Sequence, residues 1–573
     1  MNSKKPLLIL PFLALVFGIV SCGPTSEPTS SPTSDPTTEN TTSNPTSNPT
    51  FQPSEYDENW VPGENAIEGA IQPDFKNPQG QNSQLNLMRK TQEKSGLPSL
   101  GTANILVVPM TFKGDKDIEK QVPGLDLSFS KTDITKLENA YFYNDESSVD
   151  YMPSVTSYYS ISSNNKLNLS GVVSPVVEYN LEFTSVLQRS LNSSKAAVYS
   201  ELIDYIYNYL FVETETYYIG DFDADHDGRI DAISVVLNYP FMELFGEGTE
   251  QSQVLLDFVG LDNVGFTSDL LNKETTLVNS YSFISDLFRQ ANDEKEYSNA
   301  FIKNVGRMLG LDDYTDKNYN YQTGYSRSCF GFTDMMEGLV GDHSAFSKYQ
   351  LGWIEPKLIS ANSLPQDGLE VEINDLTSSG DALLLYTGKH NMFGEYLLID
   401  MYYHKSALND VNVTEAGLYG TNTFTNRGVR VTKVDARLVR GYEGHYVEFD
   451  GETNFNDWTT LPNGKHIQYT YDYAYTCSST NKYYEYGITA NYPLVNLLKK
   501  DGTNRHLTYS GTEFTHNDLW KEGDVFASTD SIDGFYKNFR FDGLGVNGPL
   551  LNINFQVKEF INGKAILNLW REN

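Results

Sequence analysis

Cysteine is scarce. Three in 573 residues are too few for a disulfide framework, so packing must hold the chain together. Basic residues are also in short supply: 42 Lys and Arg stand against 75 Asp and Glu, a formal net charge of −33. A field of that sign repels nucleic acid and anionic lipid headgroups, so binding to DNA or RNA is not expected. Apolar runs beyond the first twenty-two residues are strand-length, and a membrane-spanning helix needs about 20 apolar residues. The eight histidines, His226, His343, His390, His404, His445, His466, His506 and His516, include no two within a few residues at ligand spacing, and HExxH does not occur. Neither a Ser-His-Asp nor a Cys-His signature is present, and Cys329 and Cys477 have no distinctive context.

What the chain does have begins at its start. Lys4 and Lys5 precede an apolar stretch from Pro6 to Val20, and Ile19-Val20-Ser21-Cys22 follows. The stretch is too short to span a bilayer and has the order of an export signal. Ile-Val-Ser-Cys resembles a bacterial lipobox, which implies cleavage, lipidation at Cys22 and an anchor on the outer face of the cell membrane. An ordinary secretory signal cleaved near Ser21 is the alternative. Residues 23–55 repeat Pro, Thr and Ser with almost nothing apolar before Phe51, so they cannot bury enough surface to offset the entropy of ordering. A proline-rich tether of this length reaches roughly 100 Å at about 3.1 Å per residue. Residues 56–98 then form an N-terminal extension.

From about Ser99 the pattern becomes globular. Ala103 to Met110 is a continuous apolar run rich in β-branched residues, the mark of a strand buried on both faces. Helical spacing follows at Asp133 to Tyr141 and Ala196 to Leu210, with a second buried strand at Ile233 to Leu237. Alternating strands and helices predict an α/β domain over 99–357. Short alternating runs at Ala382 to Tyr386, Tyr396 to Met401, Val429 to Val434, Leu551 to Val557 and Ala565 to Leu569 predict a β-rich C-terminal region over 358–573, built as one β-sandwich or two small ones.

One motif carries chemistry on its own terms. In Asp223-Ala224-Asp225-His226-Asp227-Gly228-Arg229-Ile230-Asp231 the carboxylates fall at positions one, three, five and nine, with glycine at the turn. Such a loop can wrap a hard cation, with the Arg229 carbonyl adding a ligand, and all-oxygen ligation suits Ca²⁺. Ser234 occupies the twelfth position, where a bidentate Glu would complete the shell, so Asp221 is the substitute candidate. A calcium ion here would clip the structure rather than do catalysis.

Leu97-Pro98-Ser99-Leu100-Gly101, Ser157-Tyr158-Tyr159, Lys166 to Gly171, the acidic loop, Met308 to Tyr314, Asp334-Met335-Met336 and Gly341 to Lys348 ending in Leu351-Gly352-Trp353 occur in an order that resembles the immune inhibitor A family of secreted zinc metallopeptidases. The resemblance runs over residues 97–573 and is strongest over 97–357. It implies a zincin-type α/β metallopeptidase fold in that domain and an active-site helix reading HExxHxxGxxD. Aligned on Gly310 and Asp313, the two histidine positions hold Lys303 and Arg307 and the glutamate position holds Asn304. The resemblance also makes Met335-Met336 similar to the methionine turn under the metal of related peptidases, a role that plain core packing shares.

The chemistry of those substitutions follows without the family. A zinc ligand must offer a lone pair, which protonated lysine and arginine lack. Two like charges at ~4 Å and an effective dielectric of about 20 repel by about 4 kcal/mol, so the pair would discourage a dication. Asn304 has no basicity to serve as a general base. Zinc is therefore not expected, and Arg307, with Lys303, is expected to pair with Asp313 in place of the ion. The functional expectation is a surface-anchored lipoprotein that has lost peptidase activity and binds an extracellular protein or glycan. The alternative is an active metal-dependent endopeptidase with another ligand set.

Overall fold

The computed structural model describes residues 97–121, 126–143, 153–182, 195–226, 228–238, 258–261, 278–285, 294–311, 314, 330, 333–338, 341–386, 395–409, 426–435, 438–442, 445–446, 458–460, 466–468, 473–475, 495–500, 517–527 and 553–571. The export signal, the tether and extension, Cys22, Cys329 and Cys477 lie outside the described residues.

The first apolar run is β1 (Gly101–Phe112), followed by α1 (Asp115–Gln121), α2 (Lys131–Phe142), α3 (Val155–Ser162), β2 (Leu167–Val173), β3 (Val177–Tyr179) and α4 (Lys195–Tyr207). Next come β4 (Ile230–Leu237), β5 (Phe258–Leu261), β6 (Val278–Ser285), α5 (Glu294–Met308), α6 (Met335–Gly338) and α7 (Ala345–Gln350). Helix starts follow local chemistry: Ser130 and Asp133 form a reciprocal capping box on α2, and Ser154 and Ser344 cap α3 and α7 through Ser157 N and Ser347 N,.

These strands form one sheet in the order β2-β1-β4-β6-β5, with β3 pairing along the far end of β1. Pairings β1–β2, β1–β3, β1–β4 and β4–β6 are parallel, and β5 joins β6 antiparallel at the edge. Side chains alternate across the sheet, so β1 splits between two cores. Ala103, Ile105 and Val107 pack with α2, α3 and α5, whereas Leu106, Val108 and Met110 pack under α4. Burial on both faces is why that run reads as continuously apolar.

The remaining elements are mostly β: β7 (Lys357–Ser360), β8 (Leu369–Asn374), the short helix α8 (Leu376–Ser379), β9 (Ala382–Tyr386), β10 (Glu395–Tyr402) and β11 (Gly428–Asp435). Short ribbons β12 (Leu438–Tyr442), β13 (His445–Tyr446), β14 (Trp458–Thr460), β15 (His466–Gln468) and β16 (Tyr473–Tyr475) precede β17 (Val495–Leu497), β18 (Val525–Ala527), β19 (Ile553–Ile561) and β20 (Lys564–Arg571). A five-stranded sheet runs β17-β11-β10-β9-β7, and a four-stranded antiparallel sheet runs β18-β19-β20-β8.

The two sheets share a core of Leu383, Leu385, Leu397 and Ile399 against Phe555, Val557, Leu567 and Leu569. The opposite face of the five-stranded sheet presents Ala382, Leu384, Tyr396 and Leu398, which join the core beneath α3, α5 and α7. Residue 357 therefore marks a change of pattern along the chain but no gap in the hydrophobic interior. Trp353 sits at this junction, buried, with its Nε1 donating to Ser99 O at 2.7 Å.

Candidate functional site

The acidic loop hangs between a turn at Ile219–Asp221 and the start of β4. Asp231 N donates to Phe222 O at 2.8 Å, closing the loop at its base. Gly228 lies at φ +86° and its amide donates to Asp223 Oδ2 at 2.9 Å. The surroundings of Gly228 are open, so the left-handed backbone alone is what calls for glycine.

Asp231 is fully buried. Its Oδ2 accepts from Asn104 N at 2.7 Å and Ala224 N at 3.2 Å, while Oδ1 has no hydrogen-bond partner. One oxygen each from Asp223, Asp225 and Asp231 lies within 4.8 Å of the others. Burial, above all, pushes the Asp231 carboxyl up to about 7; the two amides oppose this, and the charges of Asp225 and Asp223 add to it. Three gathered carboxylates with one orphaned buried oxygen make a costly arrangement by themselves, and the donor set and spacing fit a hard cation such as Ca²⁺.

Of the expected ligands, Asp223, Asp225 and Asp231 come together. Asp221 stays apart: its Oδ2 accepts from Tyr218 N at 3.2 Å, turning the side chain back onto its own turn. The capping geometry of that turn explains the difference, because Asp221 is the third residue after Tyr218,. Arg229 is half-buried at the end of the loop, and Asp227 lies outside the described residues.

The second candidate region is α5. Asn304 is buried and Lys303 and Arg307 are half-buried. Arg307 Nη1 donates to Asn304 Oδ1 at 2.6 Å, so two of the candidate positions bond to each other, while Asn304 Nδ2 has no partner. Asp313 lies outside the described residues. The helix ends where Gly310, at φ +93°, donates to Arg307 O at 2.8 Å and Leu311 N donates to Gly306 O at 3.0 Å. That paired closure needs a left-handed residue, and glycine supplies it.

Beneath α5 lie Met335 and Met336, both buried. A Cβ on Gly306 would stand 2.5 Å from Met336 Sδ and 3.2 Å from Tyr159 Oη. Tyr159 also donates to Ile302 O at 2.7 Å. Met336 thus packs against the helix where glycine leaves room.

Sequence reading named the segments that carry Asp334, Asp342, His343 and Lys348 but not that these polar residues are buried next to this core. His343 is fully enclosed by Tyr158, Tyr159 and Trp353, and its Nδ1 lies 4.0 Å from Asp334 Oδ1, too far for a hydrogen bond,. Asp334 instead accepts from Met336 N at 2.7 Å and Ser344 N at 2.6 Å. Lys348 Nζ sits 2.6 Å from Asp342 Oδ2, and Ser162 Oγ donates to Asp342 Oδ1 at 2.5 Å. Residues between 334 and 348 meet Tyr158, Tyr159 and Ser162 of α3 here, and only chain folding brings the two segments together. Among the described residues, the three loop aspartates are the one group of three or more His, Cys, Asp or Glu side chains close enough to hold a metal ion, and no helix is long and apolar enough to cross a membrane. Neither a family model nor a curated protein matches this chain.

Proposed function

We propose that this chain is a lipid-anchored surface protein of a bacterium, built on a zincin-type metallopeptidase-like scaffold. In this reading it has lost zinc-dependent hydrolysis, is clipped by calcium at Asp223, Asp225 and Asp231, and serves to bind an extracellular protein or glycan. The observation that carries the reading is the bond from Arg307 Nη1 to Asn304 Oδ1. A guanidinium has no lone pair for a metal, and an amide engaged as acceptor has no basicity to activate water. Lys303 adds a second cation one turn away on the same helix face.

Each remaining part rests on its own feature. Anchoring rests on the Ile19-Val20-Ser21-Cys22 motif and display on the Pro/Thr/Ser tether. The calcium clip rests on the orphaned Oδ1 of Asp231 and the 4.8 Å grouping. The deciding experiment measures metal content and proteolysis on the purified full chain. The expected result is bound calcium, sub-stoichiometric zinc and no cleavage of an unfolded protein substrate. Stoichiometric zinc with cleavage abolished by a chelator would make the chain an active endopeptidase and overturn the reading.

A further inference from the structure

Five charged side chains are buried where the α/β layer meets the five-stranded sheet: Asp342 and Lys348 from the former, Asp375, Asp400 and Arg430 from the latter. Four of them form two pairs. Lys348 Nζ lies 2.6 Å from Asp342 Oδ2 and donates to Ser162 O at 2.8 Å. Arg430 reaches Asp400 Oδ1 through Nη2 at 2.7 Å and Nε at 2.8 Å. Three carboxylates thus face two cations, and one negative charge is left over.

Asp375 is the odd member. Its Oδ2 caps α8 by accepting from Ser378 N at 3.0 Å, and its Oδ1 is buried with no hydrogen-bond partner. Helix α8 packs against α3 and β10. The described titratable side chains on those elements are Tyr158 and Tyr159, kept neutral by burial, and Tyr396, Asp400 and Tyr402. From the α7 side, Asp342 and Lys348 act on Asp375 with opposite signs.

We propose that Asp375 is a proton-operated latch between the α/β layer and the five-stranded sheet. Protonated, it leaves the cluster electrically balanced and closed; ionised, it carries an unmatched buried charge that loosens α8 from α3 and β10. Burial pushes its carboxyl up to about 6; the Ser378 hydrogen bonds oppose that rise, Asp342 adds to it and Lys348 opposes it. A carboxyl whose folded value lies above its ordinary 3.8 holds its proton more tightly when folded,. The stability gained from that proton is complete in acid and is lost as pH rises from about 4 through about 6, a change of roughly a hundredfold in the folding equilibrium.

The test is chemical denaturation of the full chain and its Asp375→Asn variant from pH 4.5 to 8 at fixed calcium. Asparagine keeps the cap without the charge. The expected result is a ratio of folding constants that grows roughly thirtyfold in favour of the variant between pH 4.5 and 8. With it, amide exchange in α8 and β10, corrected for intrinsic rates, should quicken as pH rises toward about 6 and then level off, in the native chain only,. Parallel pH profiles for the two proteins, or exchange that stays slow in the native chain, would overturn the latch. Should the asparagine variant fail to fold, Asp375→Ser retains a capping oxygen and answers the same question.

Discussion

At the scale of single residues, charge placement decides what the protein can do. Asp231 is the clearest case: two amides hold one of its oxygens, and the other is buried without a donor. A bound cation would relieve that arrangement. Saturating calcium at about 100 times its Kd would stabilise the native chain by about 2.7 kcal/mol. Thermal denaturation with and without calcium is expected to show this gain in the native protein and little of it in Asp231→Asn. An equal calcium shift in both would dismiss Asp231 as a ligand. Position and residue type made this loop legible in the sequence. Asp221 was not so legible, because whether a carboxylate caps its own turn or reaches a neighbour depends on backbone angles that spacing does not encode.

At the scale of elements, α5 shows how tightly a helix can be specified at its end. Gly310 closes it in a left-handed conformation, and Gly306 admits Met336 from below. Replacing Gly306 with alanine forces a methyl against Met336 Sδ and Tyr159 Oη, at a cost of about 1–3 kcal/mol. In a double-mutant cycle followed by chemical denaturation, that cost is expected to shrink when Met336 is already alanine; a constant penalty would place the strain elsewhere. The strands at Ala103 to Met110 and Ala382 to Tyr386 were visible in the sequence because β-branched and apolar runs bounded by turn residues leave few other choices. The π-helical turn at Asn208–Glu213 that continues α4 was not, since local propensity does not distinguish it from the helix it extends.

At the scale of the whole molecule, the five-stranded sheet is the shared wall between two interiors. Leu383 faces the four-stranded sheet and Leu384 faces the α/β layer, and both are fully buried. Leu383→Ala and Leu384→Ala are each expected to destabilise the chain by about 2–5 kcal/mol in denaturant titrations. A sheet with one solvated face would make one of the two nearly neutral, and that result would contradict the layered arrangement.

The sequence by itself determined the acidic character, the alternation of strands and helices followed by a β-rich part, and that Lys303 and Arg307 have no lone pair for a metal and Asn304 no basicity,; it also raised the expectation of an export signal and tether in its first fifty-five residues. These are properties of composition, period and residue chemistry, which act over a few neighbouring residues. Only the tertiary structure decided that Asp221 leaves the carboxylate group, that Arg307 bonds to Asn304, and that Asp342, Lys348, Asp375, Asp400 and Arg430 share one buried cluster. The first two turn on backbone angles and rotamers that residue spacing does not encode. The last depends on contacts between residues far apart in the chain, and on burial, which turns an ordinary aspartate into a proton-holding one only after other segments have excluded water from it.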